Sequence, residues 1–179
     1  MKSDSPPLAR PRSASSAPRD GLFSPRSLAT LSGYLLLCTC IALLGGLSTA
    51  AGVAEWYPTL DKPPWTPPNW AFGPVWTVLY ILIALAGWDL TRRTTADDRT
   101  PLVVYAAQLF LNLIWSPLFF SLHRVWTALA VISVLWWLVA ESTRLFARHS
   151  RLAALAMWPY LAWLTVAWSL NAWIALHNA

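Results

Sequence analysis

The sequence predicts an all-α membrane protein, a bundle of five transmembrane helices. Hydrophobic residues make up 56% of the chain's 179 residues and charged residues only 12%, against roughly 25% charged residues in ordinary soluble domains. The charged residues are concentrated between long apolar segments, and each segment can supply the ~20 residues that a helix needs to cross a bilayer. The predicted spans are residues 28–51, 69–90, 101–120, 126–146 and 152–176.

Local signals support the first three spans in order. The first span carries no charged residue, and its Gly45, Gly46 and Thr49 are small side chains typical of helix contact or dimerisation. The second begins at Asn69, whose side chain can cap a helix. The third places Pro101 at the first helical position, where proline is favoured.

The last two spans contain features that usually interrupt a membrane helix. Glu141 lies in the fourth span, and Arg144 follows three residues later, where the two can pair on the helix surface. Pro159 lies in the fifth span and allows a kink. Both segments remain long and apolar enough to cross the bilayer.

The flanking segments differ from the spans in composition. Residues 1–27 are rich in proline, serine and arginine and predict a disordered tail. A signal peptide and an organellar transit peptide remain as alternatives, although the first apolar run exceeds the 7–15 residues of a signal core. The five-span domain then covers residues 28–177. Its first connection, residues 52–68, contains five prolines that restrict the backbone, and we predict that it forms a rigid lid over a ligand.

Basic residues predict the orientation. Eleven of the thirteen Lys and Arg residues lie in the tail and in the second and fourth connections, whereas the first and third connections hold only Lys62 and Arg124. Because short cytoplasmic loops are enriched in Lys and Arg, we expect the N-terminus inside and the C-terminus outside. The net charge of +5 suits an anionic membrane surface. The scattered basic residues do not indicate nucleic-acid binding.

Polar and aromatic residues follow one face of three predicted helices, at steps of three and four. These faces are Asn69, Phe72, Trp76 and Tyr80; Tyr105, Gln108, Asn112, Trp115 and Phe119; and Tyr160, Trp163, Ala167, Leu170 and Asn171. Polar groups avoid lipid, so the faces should point inward. They could simply hold the helices together, with other tryptophans at the interface. Alternatively, they line a pocket for a large, flat, apolar ligand, with a few amides binding its polar edge.

Motifs of common enzymes and metal sites are absent from the sequence. It contains no Gly-rich phosphate loop, no His-Glu-x-x-His and no Gly-x-Ser-x-Gly. We therefore predict no metal site, no required cofactor and no conventional catalytic residue. The predicted spans also carry no charged residue at mid-membrane, which disfavours an ion-coupled transporter.

Three stretches carry a resemblance to a known family. They are "WYPTLDKPPWTPPNWAFGPVWTVLY", "YAAQLFLNLIWSPLFFSLHR" and "WPYLAWLTVAWSLN". Together they resemble the translocator protein and tryptophan-rich sensory protein family, TspO/MBR, from about residue 31 to residue 171. The resemblance implies a five-helix bundle, often a homodimer, that binds porphyrins, sterols and isoquinoline-type ligands in a pocket beneath the first connection.

The same motifs imply a set of ligand-binding positions. Carried over by motif, these are Tyr57, Trp65, Trp70, Trp76, Tyr80, Gln108, Asn112, Trp115, Trp163, Ala167 and Asn171. Where animal members have the Tyr of a C-terminal cholesterol motif, this chain has Ala172, and no Lys or Arg follows. That difference argues against sterol binding through the motif and favours a bacterial member.

The resemblance implies a sensor or carrier of tetrapyrroles such as protoporphyrin and haem. Two alternatives remain open. One is a light- and oxygen-dependent enzyme that degrades porphyrin, in which Trp76 and Trp163 would act. The other is a passive transporter of porphyrin or lipid.

Overall fold

The computed structural model describes residues 21–94 and 98–178, apart from the side chain of Ala51. Its α-helices are α1 (Pro25–Glu55), α2 (Phe72–Thr91), α3 (Thr100–Phe120), α4 (Val125–His149) and α5 (Arg151–Asn178). The α1–α2 connection, residues 56–71, contains two single-turn 3-10 helices, Tyr57–Thr59 and Asn69–Ala71. Five helices in these ranges are long and apolar enough to cross a membrane, and no strand occurs in them. The predicted fold class is confirmed.

Helix α1 extends beyond its predicted span at both ends. It begins at Pro25 because Ser24 Oγ accepts a hydrogen bond from Ser27 N at 3.2 Å and proline suits the first turn. Residues 25–27, predicted as tail, are therefore helical, and so are residues 52–55, predicted as connection. Residues 1–20 of the predicted tail lie outside the described residues.

The other local predictions have mixed outcomes. Asn69 does not cap α2, because it begins a 3-10 turn that runs directly into the helix. Neither the turn nor the helix has a side-chain cap. Pro101 lies in the first turn of α3, and Pro159 lies within α5, as predicted. Arg144 Nε donates to Glu141 Oε2 at 2.7 Å, which confirms the predicted pair.

The helices pack around an apolar core, with α4 against α3 and α5, and α1 against α2 and α3. The polar contacts between α1 and α2 all lie near the start of α1. Tyr34 Oη lies 2.6 Å from Thr91 Oγ1, and Trp88 Nε1 donates to the Ser27 carbonyl at 3.0 Å. Helix α1 contacts α3 along its whole length, from Tyr34 on Tyr105 to Thr49 on Ser116, whereas no hydrogen bond to α2 is found beyond Tyr34 among the described residues.

Candidate ligand-binding site

A cavity of about 420 Å³ lies between α1, α2 and α3, in the half of the bundle next to the α1–α2 connection. Its volume is within the range of ordinary small-molecule sites, roughly 300–1,000 Å³. The lining residues come from three elements: Ala42, Leu43, Gly45, Gly46, Thr49, Ala50 and Val53 of α1; Asn69 with Phe72, Gly73, Trp76, Thr77 and Tyr80 of α2; and Asn112, Trp115 and Ser116 of α3.

Aromatic side chains form the α2 and α3 walls of the cavity. The rings of Trp76 and Tyr80 stack with centroids 5.3 Å apart, one helical turn from each other. Trp115 stacks on Phe119 at 5.5 Å, so its indole is held from behind while it lines the cavity. Such walls favour a flat apolar ligand, because each well-placed aromatic contact contributes about 0.5–1.5 kcal/mol beyond its area.

Asn112 is the centre of a buried hydrogen-bond chain. Tyr80 Oη donates to Asn112 Oδ1 at 2.6 Å, and Asn112 Nδ2 donates to Tyr160 Oη at 2.8 Å. The chain joins α2, α3 and α5, and it fixes which side of the amide faces each tyrosine. Asn112 therefore shapes the wall, and it keeps one N–H and one acceptor position for a ligand.

Asn171 does not line the cavity but supports the α3 wall from behind, through Trp115. Trp115 Nε1 donates to Asn171 Oδ1 at 3.2 Å, and Asn171 Nδ2 donates to the Val125 carbonyl at 3.0 Å. Both bonds hold the Trp115 indole in one orientation. Its N–H is consumed, so Trp115 presents a ring surface and no donor to a ligand.

Few polar groups remain available at the cavity. Thr49 Oγ1 donates to the Gly45 carbonyl at 2.9 Å, so its 2.8 Å contact with Ser116 Oγ uses the Ser116 proton. Ser116 then keeps only acceptor capacity. The Trp76 indole N–H and the Asn69 amide have no hydrogen-bond partner in the part of the chain that the structure describes. A mostly apolar cavity with few polar groups is typical of ligand sites.

The predicted α5 wall is separated from the cavity. The Phe72 ring lines the cavity and packs edge-on against Trp163, with centroids 5.8 Å apart. Trp163 lies against Phe72, and neither Trp163 nor Ala167 lines the cavity. Gln108 is fully buried, does not line the cavity, and neither of its amide atoms has a partner among the described residues.

Tyr57 supports the roof of the bundle. It is buried, and its ring packs against Phe72 at 6.1 Å and Phe120 at 6.0 Å. Burial raises the pKa of its hydroxyl to about 12. Lys62 Nζ lies 5.1 Å from the centre of the same ring and donates to the carbonyls of Tyr57 and Leu60, each at 2.7 Å. Lys62 thus holds the turn of the connection by binding its carbonyl groups.

The two loop tryptophans lie away from the cavity. Trp65 is 53% exposed, packs edge-on against Trp173 at 5.5 Å, and donates from Nε1 to Ser169 Oγ at 3.4 Å. Trp70 is 75% exposed. Neither lines the cavity, and the connection contributes only Asn69 and the start of α2 to it.

The structure therefore brings together Trp76, Tyr80, Asn112 and Trp115 from the predicted set. Sequence reasoning missed the α1 wall, in which small residues occupy the positions that face the cavity. Gly45 and Thr49 do contact α3 at Ser116, which confirms the predicted helix contact. The same small residues also leave open space beside α2, which the sequence analysis did not predict.

The fold and the cavity together define a polytopic membrane protein with an aromatic-walled cavity inside its helix bundle. The model of the TspO/MBR family matches residues 34–176, and the chain belongs to that family. It is 38% identical to a tryptophan-rich sensory protein of Cereibacter sphaeroides over 141 residues, covering 77% of this chain and 88% of that one. It is 34% identical to a translocator protein of Bos taurus over 142 residues, covering 78% and 84% of the two chains.

Proposed function

We propose that this protein binds a flat tetrapyrrole of the protoporphyrin type in the cavity between α1, α2 and α3, and acts as a membrane sensor or carrier of that ligand. The main support is the composition of the walls. Phe72, Trp76 and Trp115 offer aromatic surface, whereas the polar groups left over are few. This arrangement suits a ligand with a large apolar ring system and polar groups at one edge.

The names of the relatives agree with a sensing or translocating role. Those relatives are called tryptophan-rich sensory protein and translocator protein. The five apolar helices make this chain a multi-pass membrane protein, so a ligand bound in the cavity lies at the depth of the bilayer. That position supports a role in sensing or moving an apolar ligand.

Binding can be tested by titrating the purified protein with protoporphyrin and following tryptophan fluorescence. We expect saturable quenching, and we expect Trp76→Leu to weaken the affinity by roughly 2- to 13-fold, which corresponds to the loss of one aromatic contact. Trp137→Leu is the matched control, because Trp137 is 60% exposed on α4 and does not line the cavity. Quenching that does not saturate, or equal affinities for the two variants, would refute the proposal.

A further inference from the structure

We propose that the ligand enters this cavity sideways from the bilayer, through an opening between α1 and α2, while the α1–α2 connection stays closed. The inference rests on the proposed function, since it concerns the same cavity and ligand class. It adds the route, and with it the requirement that the ligand be dissolved in the membrane before it binds.

The exposure of the lining residues locates the opening. The inner surface is formed by buried residues, namely Gly45, Tyr80, Asn112, Trp115 and Ser116. The exposed lining residues are Leu43, Gly46 and Ala50 of α1 and Asn69, Gly73 and Thr77 on the α2 side. No exposed lining residue comes from α3. The cavity therefore opens on the side of the bundle where α1 and α2 face the lipid.

Small residues keep the opening wide. A Cβ atom added to Gly46 or Gly73 would meet no other atom within 4 Å, so nothing in the described structure occupies the space in front of either glycine. By contrast, a Cβ at Gly52 would lie 2.6 Å from the Phe120 carbonyl oxygen, because there α1 packs tightly on α3. Helix α1 is thus anchored on α3 and stands apart from α2 at the level of the cavity.

The alternative route, through the α1–α2 connection, is closed by several bonds. Asp61 N donates to Asn178 Oδ1 at 2.7 Å, and Asn178 Nδ2 donates to the Asp61 carbonyl at 3.0 Å. This pair fastens the connection to the end of α5. Trp65 makes a second attachment to α5 through Ser169, and Lys62 binds the carbonyls of the turn. Entry past the connection would require the attachments to Asn178 and Ser169 to break, while the Lys62 bonds keep the turn itself rigid.

The lining also restricts the ligand class. No acidic or basic side chain lines the cavity within the described residues, so a strongly charged, water-borne molecule would lose its hydration without a counter-charge. A tetrapyrrole that partitions into the bilayer buries its apolar ring system in the cavity, whereas its two propionates can stay hydrated at the opening. Its polar edge can reach Asn69 near the connection, where the membrane surface lies.

The route can be tested by stopped-flow measurement of protoporphyrin association in lipid nanodiscs. Gly46→Phe should slow association by roughly tenfold or more, because its ring would stand in the opening; since Gly46 also lines the cavity, the readout is the association rate and not the affinity. Leu47→Phe is the matched control, since Leu47 is the next residue, is 73% exposed and does not line the cavity. We expect the control to keep the wild-type rates.

A second experiment cross-links the α1–α2 connection to the end of α5, so that the connection cannot open. In a Cys38→Ser, Cys40→Ser background, Asp61→Cys and Asn178→Cys would be joined by a short bifunctional maleimide, and association should continue at the uncrosslinked rate. Loss of association on cross-linking, or a Gly46→Phe variant that differs from wild type only by faster dissociation, would overturn the route. Cross-linking between copies through Leu43→Cys would also overturn it, because a second copy would then cover the opening. An absence of saturable binding in the wild type would instead refute the proposed function.

Discussion

Replacing Gly52 by alanine should destabilise the bundle, although alanine is the better helix former. A Cβ at Gly52 would lie 2.6 Å from the carbonyl oxygen and 3.0 Å from the Cα of Phe120. These are backbone atoms of α3, so they cannot rotate away and one helix must shift. Overpacking of this kind costs about 1–3 kcal/mol, whereas alanine gains up to ~1 kcal/mol in helix propensity over glycine.

Gly46→Ala separates the two contributions. It makes the same change on the same helix, and its Cβ meets no atom within 4 Å. The propensity gain is therefore common to both variants, and the difference between their free energies of unfolding isolates the clash, about 1–3 kcal/mol. The measurement is a reversible unfolding titration in mixed detergent, followed by circular dichroism. Free energies that agree within about 0.5 kcal/mol would refute the close packing of α1 on α3.

Two further predictions concern buried polar groups. Asn112→Leu leaves the hydroxyls of Tyr80 and Tyr160 without their partner and should lower the free energy of unfolding by about 1–3 kcal/mol. Ser142→Ala removes a buried hydroxyl that has no partner in the described structure and should change the free energy of unfolding little. Equal effects of the two substitutions would contradict the role of Asn112. The raised pKa of Tyr57 means that the folded state favours the neutral phenol. Its contribution to stability is therefore complete below the ordinary tyrosine pKa of 10.0 and is lost as the pH rises through about 12. Melting temperatures measured across this range should fall less for Tyr57→Phe than for wild type, and parallel curves would contradict the burial of the hydroxyl.

The periodicity of the sequence was sufficient to predict the inward face of α2 and α3. Trp76 and Tyr80 lie one turn apart on α2, and Asn112 and Trp115 lie about one turn apart on α3. All four line the cavity. A helix in lipid has only one face on which an amide is stable, so spacing and polarity together determine that face. The same reasoning led to Gln108, which is buried as predicted but does not line the cavity.

The predicted site residues that do not line the cavity are positioned by contacts between distant segments. Trp163 belongs to an inward face, but it lies against the Phe72 ring and does not line the cavity. Trp65 belongs to the proline-rich connection, but Ser169 and Trp173 hold it against α5. No local pattern encodes these partners, because each pair is separated by about ninety residues or more in the chain.

By itself, the sequence determined the five membrane helices, the inward faces of α2 and α3, and the family to which the chain belongs. These properties follow from hydrophobicity, helical spacing and motif, all of which are local in the chain. Only the tertiary structure decided that α1 completes the cavity, that Asn112 and Asn171 position aromatic walls, and that the connection is fastened to α5. The physical reason is that the gap between α1 and α2 depends on how both helices pack against α3 and α5, through side chains that lie far apart in the sequence.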